Sequence, residues 1–234
     1  VSTPARAIDS WVVVDGAARG IERHHARFVA ACADADGPAE AVVDAFWTAV
    51  LEGLPRSGSW WPRVDLTHAG ELTSRLRPLP PTTGPLTVAV CAGTDPRIAP
   101  RRKGPDLDLL GAVRSASGAG EALLTSADGE VLEGTTTSLL WWEGDTLCHP
   151  DPALPILAGV TTAVLLEGAV AQGITPEARQ CQAAELDGRE TWLVNAVYGI
   201  RPVTRWVGNP ITAGPAPRAA EWQRWLDGQR TALT

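Results

Sequence analysis

Apolar positions along this chain recur at helical spacing early on and then condense into short runs of strand length. Residues 10–14 form a β-branched and aromatic run closed by Asp15-Gly16, which predicts a strand ending in a turn. Residues 20–35 set Ile21, Phe28, Val29 and Cys32 against charges on the other face, which predicts a helix. Residues 38–54 predict a second helix, with Pro38 near its first turn and Val42, Val43, Phe46, Trp47, Val50 and Leu51 on its buried side. Residues 60–66 read as a strand, and the proline-rich stretch 76–85 as a loop or interdomain linker.

Beyond that stretch the runs shorten. Strands are predicted at 86–92, 121–125 and 129–132, the last two joined at the turn dipeptide Asp128-Gly129. Residues 138–142 and 146–149 read as a hairpin around Glu143-Gly144-Asp145, and 191–197 as an apolar strand. Helices are predicted at 107–117, at 160–172 with Gly173 as its stop, and at 221–233. Residues 95–105 form a charged, proline-punctuated loop. The pattern predicts a mixed α/β (α+β) chain, with a small N-terminal α/β domain over 1–84 and a larger strand-rich domain over 85–234.

Composition narrows the function classes. A formal net charge of −7 argues against general affinity for nucleic acid, though it leaves room for a local cationic pocket. No stretch approaches the roughly 18 apolar residues of a membrane helix. Residues 1–16 lack the basic start and small-residue cleavage site of a secretory signal, so a cytoplasmic location is expected. Cys32, Cys91, Cys148 and Cys181 are far apart without CxxC spacing, so free thiols are expected rather than a metal site or disulfides. The adjacent His24 and His25 point about 100° apart on a helix and make a poor chelate. In the pairs Trp60-Trp61 and Trp141-Trp142, strand alternation predicts one ring inward and one outward; an aromatic substrate wall is the alternative.

The basic residues carry the sharpest signal: nineteen are arginine and one, Lys103, is lysine. A drift toward arginine clears lysines that serve only as surface charge and spares one needed as a primary amine, as in Schiff-base chemistry. Composition leaves open whether Lys103 is such an amine or a chance remnant.

Four segments follow in order. Lys103 precedes Leu107-Asp108-Leu109-Leu110-Gly111, and Val131-Leu132-Glu133-Gly134-Thr135-Thr136-Thr137 comes next. Leu157-Ala158-Gly159-Val160-Thr161 then opens a predicted helix, and Asn195-Ala196 leads on to Arg201-Pro202-Val203. Together they resemble the signatures of the class IV aminotransferase family, the fold type IV pyridoxal-phosphate (PLP) enzymes, from about Asp9 to the C-terminus. The last segment is most similar to aminodeoxychorismate lyases. Members usually carry a further strand and a Gly-Asp-Gly segment before the region matching Asp9-Ser10-Trp11, so either the chain is trimmed there or its first domain is reduced, and a larger pseudo-barrel domain is expected to follow.

The resemblance implies roles. Lys103 would bond pyridoxal 5'-phosphate and then serve as acid or base. Glu133 would face the pyridine nitrogen, which needs a carboxylate to stay protonated. Gly159, Val160 and Thr161 would cradle the phosphate at a helix start, with Arg27 of the His24-to-Arg27 segment as its guanidinium partner. Asn195 and Ala196 would face the phosphate or substrate, and Arg97, Arg101 or Arg201 would receive a substrate carboxylate. The implied reaction is lysis of 4-amino-4-deoxychorismate to 4-aminobenzoate and pyruvate, a step of folate biosynthesis. Alternatives are transamination of branched-chain, D- or other amino acids, and a PLP-binding paralogue without turnover. A small amine or amino acid substrate and a homodimer are expected, with no metal.

Overall fold

The computed structural model describes residues 5–81, 84–91 and 93–233. The N-terminal part runs β1 (Ala7–Ser10), β2 (Val13–Val14), β3 (Ala17–Ala18), α1 (Ile21–Asp34) and α2 (Glu40–Glu52). It continues with β4 (Ser59–Trp60), β5 (Arg63–Leu66) and β6 (Leu72–Arg75). Then come β7 (Leu86–Val90), α3 (Leu107–Ala116), β8 (Glu121–Thr125), β9 (Val131–Gly134), β10 (Ser138–Glu143) and β11 (Thr146–Pro150). The chain closes with α4 (Val160–Ala171), β12 (Glu177–Arg179), β13 (Thr191–Asn195), β14 (Gly199–Val207), α5 (Ala219–Asp227) and β15 (Thr231–Ala232).

Three sheets result: β1-β5-β6, β15-β3-β2-β4, and an eight-stranded sheet in the order β12-β11-β10-β13-β14-β7-β8-β9. The early strands are shorter than the apolar runs suggest. Trp11 and Val12 break the first run, so β1 and β2 join different sheets, and the Asp15-Gly16 turn (φ 47° and 74°) sends β2 back along β3. The run at 60–66 is likewise split at Trp61-Pro62, because proline cannot donate to a ladder. The expected helix over 221–233 ends at Asp227, and Thr231–Ala232 pairs with β3, returning the chain's end to the N-terminal sheet. The expected strand at 86–92 is described to Val90; Ala92, like Thr82 and Thr83 of the proline-rich stretch, lies outside the described residues.

The large sheet is covered on both faces. On β10, Leu139 and Trp141 pack with Val88, Leu193 and Val203, while Leu140 and Trp142 pack with Leu165, Trp192 and Trp222 on the side of α4 and α5. Both rings of Trp141-Trp142 are therefore buried, against the alternation expected of a half-exposed strand. On α2 the buried face is narrower than expected, and Val42 stays 53% exposed. Among the described residues no helix is long and apolar enough to cross a membrane.

Trp192 is wholly buried, edge-on to Trp142 at 5.7 Å and 6.0 Å from Trp222. Trp192→Ala should cost about 3–5 kcal/mol, read as a lower denaturation midpoint in guanidinium. A loss below about 1 kcal/mol would mean that this aromatic cluster does not join the helices to the sheet.

Candidate active site

A cavity of about 430 Å³ opens between β1, α1 and β5 on one side and the loop 95–106, the β9–β10 turn and the start of α4 on the other. That volume suits a small-molecule site. Six arginines and Lys103 line it against two carboxylates, Asp106 and Glu133, so the wall is cationic in an acidic protein.

Lys103 is held by its backbone. Its carbonyl accepts the Ile8 amide of β1 at 2.7 Å, and the next residue, Gly104, has φ +145°. A Cβ on Gly104 would lie 2.9 Å from the Ala7 Cα, so only glycine permits this approach. The flanking arginines pin the loop from outside: Arg101 donates to the carbonyls of Pro152, Ala153 and Leu154, and Arg102 to Asp34. The half-buried Lys103 Nζ faces the Ser10 Oγ at 3.4 Å. Burial, and then the charge of Arg27, push the Lys103 ammonium down to about 8, against the pull of Asp9.

Glu133 is a buried carboxylate, one residue before the end of β9. Its Oε1 accepts the Leu157 amide at 2.8 Å and an Arg97 Nη1 N–H. Its Oε2 accepts nothing among the described residues, and the side chain lines the cavity. Burial pushes this carboxyl up to about 7, while Arg97 and the Leu157 amide pull it down. Arg97 is otherwise occupied: Nε and Nη2 bond Asp95, Nη2 also the Pro155 carbonyl, and Nη1 also the Pro100 carbonyl. All five N–H groups of its guanidinium are spent, so Arg97 orients Glu133 and has none left for the substrate carboxylate expected of it. Arg101 donates to three carbonyls and is not among the residues lining the cavity, so it is no receptor either.

Two residues after Leu157, α4 begins at the Gly159 N-cap, where a Cβ would lie 2.5 Å from the Ser138 Oγ. Val160 and Thr161 present first-turn amides that have no partner within the helix. Arg27 reaches this end from α1, its Nη1 donating to the Ala158 carbonyl at 3.0 Å. Asn195 and Ala196 close the wall. The Asn195 Oδ1 accepts the amides of Val197 and Tyr198 at 3.1 and 2.8 Å, so that side chain shapes the turn between β13 and β14.

The structure thus places Arg27, Arg97, Lys103, Glu133, Gly159, Val160, Thr161, Asn195 and Ala196 around one cavity. Arg201 is not among its lining residues; it donates to the Gly84 carbonyl at 3.0 Å and lies 5.3 Å from the Tyr198 ring centroid. A different arginine, Arg77, lines the cavity. Arg77 stacks on Trp61, 3.4 Å from the ring centroid, and among the described residues its buried Nη2 has no hydrogen-bond partner, nor has the Trp61 Nε1. Burial, then Arg63 and Arg75, push Arg77 down to about 10, still cationic at neutral pH. Beside it Arg63 is bound to Asp65. Neither arginine carries a local motif, and the cue in the sequence was only the Trp61-Pro62-Arg63 break opposite Arg77.

A family model described as amino-transferase class IV matches residues 6–206. The bifunctional aminodeoxychorismate lyase / D-amino acid transaminase of Mycobacterium tuberculosis is 38% identical over 88 residues. The matched stretch is 34% of this chain and 30% of that protein, under a third of the relative's length. Among solved structures, a hypothetical aminotransferase from M. tuberculosis with α-ketoglutarate and PMP bound has a TM-score of 0.77 at 21% identity, covering 97% of this chain and 88% of that one. A protein given the name 4-amino-4-deoxychorismate lyase, from Legionella pneumophila, reaches 0.81 at 16% identity, covering 96% and 91%. The Escherichia coli branched-chain amino acid aminotransferase reaches 0.80 at 16% identity, covering 98% and 86%. At these identities the structures share a fold.

Because Lys103 is the only lysine, its reactivity can be read directly. Modification by an amine-selective acylating reagent, with peptide mapping to separate it from the chain's α-amino group, should rise about tenfold per pH unit and level off near pH 8. Levelling only near pH 10 would show that the cavity does not depress this amine.

Proposed function

The chain belongs to the amino-transferase class IV family, whose members depend on pyridoxal 5'-phosphate, and from that premise we propose that it is a lyase acting on 4-amino-4-deoxychorismate. The cofactor's demands are met by residues around one cavity. A depressed amine at Lys103 supplies the covalent attachment. The free Oε2 of Glu133 would accept the pyridine N–H, a cation that would offset the burial of this carboxylate. The first amides of α4, the Thr161 hydroxyl and Arg27 would hold the phosphate. When bound, the cofactor supplies the electron sink on which family chemistry depends.

Arg77 carries the choice of substrate. Its unpartnered Nη2, buried in the cavity wall next to Arg63, fits a carboxylate separate from the reacting amine. Aminodeoxychorismate offers two carboxylates, one on the ring and one on the enolpyruvyl group. In this reading Lys103 takes the ring proton beside the amine. The bond from ring carbon to enolpyruvyl oxygen breaks, and the leaving group takes up a proton to become pyruvate as the ring aromatises. The cationic wall orients the anionic groups without moving a proton itself.

The protein should release pyruvate from aminodeoxychorismate with no keto acid added, and Lys103→Ala should abolish that release. No pyruvate at high enzyme concentration sinks the lyase reading. Arg77→Met should raise KM roughly tenfold or more, the scale of one charge-assisted hydrogen bond, with little change in affinity for PLP.

Transamination is the second reading, supported by the M. tuberculosis relative, whose name carries both activities. Its mark is conversion of bound cofactor to the pyridoxamine form on adding a D- or branched-chain amino acid. The lyase cycle leaves the cofactor unchanged.

A further inference from the structure

Asp9 is a buried charge that neither reading uses. It sits on β1 between Ile8 and Ser10, which line the cavity, and is itself 0% exposed. A carboxylate so placed is costly unless its oxygens are satisfied. Here they are. Oδ2 accepts the Arg27 Nε at 2.8 Å, while Oδ1 accepts the Arg27 Nη2 at 2.9 Å, the His24 Nδ1 at 2.7 Å and the Ser10 amide at 2.6 Å.

Burial works to raise the Asp9 carboxyl, but Arg27 and His24 outweigh it and hold the group well below the usual carboxylate range. An ionised Asp9 can only accept, so the hydrogen of this contact resides on His24 Nδ1. Burial lowers His24 against the pull of Asp9, which leaves a neutral ring buttressing the pair. The resulting geometry is narrow. Asp9 grips the Nε–Nη2 edge of a planar guanidinium while the Ala158 carbonyl, just ahead of α4, takes an Nη1 hydrogen, which leaves one hydrogen on each Nη and sets Arg27 in the cavity wall with Val160 and Thr161.

We propose that Asp9 is a positioning residue that holds Arg27 in register with the α4 N-terminus for a phosphate monoester. This rests on the reading of Arg27 as a phosphate ligand. Asp9 touches no ligand itself; it acts through the guanidinium. A purely structural Asp9 would support every ligand of the cavity equally, whereas one acting through Arg27 discriminates by the phosphate.

The test compares PLP with pyridoxal, which lacks the phosphate, on the full chain freed of cofactor. Dissociation constants are measured by tryptophan fluorescence for the parent protein, Asp9→Asn, Arg27→Ala and the double variant. Asp9→Asn should weaken PLP roughly tenfold or more and leave pyridoxal within about twofold. In the Arg27→Ala background it should add less than about threefold to the loss for PLP. Equal weakening of both ligands overturns the inference, and so does an unchanged PLP affinity in Asp9→Asn when Arg27→Ala has lost it. If Arg27→Ala itself binds PLP normally, the phosphate reading of Arg27 falls and takes this inference with it. Should Asp9→Asn not fold, Asp9→Glu keeps the charge but shifts the carboxylate by one methylene. It should show the same PLP-selective loss, and equal loss of both ligands would again refute the role.

Discussion

The hydrogen bond from the Ile8 amide to the Lys103 carbonyl, 2.7 Å long, joins the outer edge of β1 to the loop that follows β7. An edge strand must find partners for its outward backbone groups, and this one finds the loop that carries the lysine. Gly104 makes the approach possible, and the arginines around it fasten the loop to Asp34 and to the carbonyls of residues 152–154. The cavity exists because that seam closes. Ser10, exposed to the cavity from the same strand, then faces the Lys103 amine.

Electrostatics within the seam follow one rule: each buried carboxylate is spoken for, and cations remain in surplus. Asp9 is bound by Arg27 and His24, and Glu133 by Arg97 and an amide. Glu121 accepts from the amides and hydroxyls of Thr135 and Thr136 and from the Thr137 hydroxyl, which holds the turn after Glu133 against β8. What is left over is Arg77, stacked on Trp61 with an unused donor, together with the spare hydrogens of Arg27. A low-dielectric wall with surplus cationic donors favours an anionic ligand more strongly than the same charges would in water. The overall charge of −7 says nothing about that, because it sums over a surface the ligand never meets.

Elements with strong periodicity were legible: α1, α3, α4, β7, β8 and the β10–β11 hairpin match their apolar runs to within a residue or two. Misreadings occurred where a partner strand decided the outcome. The runs at 10–14 and 60–66 each divide between two sheets, and β6, β14 and β15 are strands only because β5, β13, β7 and β3 lie alongside them. The Trp141-Trp142 pair breaks alternation for the same kind of reason, since helices cover one face of the sheet and the core fills the other.

By itself the sequence determined where a lone primary amine, a carboxylate ahead of a hydroxyl run and a glycine-led helix start stand, because each is a residue type or local pattern: Lys103, Glu133, Gly159. It also carried the family signature that orders them. Which acceptors each arginine meets was decided only by tertiary structure. Arg97, Arg101, Arg201 and Arg77 are alike as letters, and their roles differ by which acceptors fold next to them. A guanidinium whose five N–H groups are spent on carbonyls and carboxylates is scaffold. One left with an unpaired donor in a cavity wall is available to a ligand, and that difference arises from contacts between residues far apart in the chain.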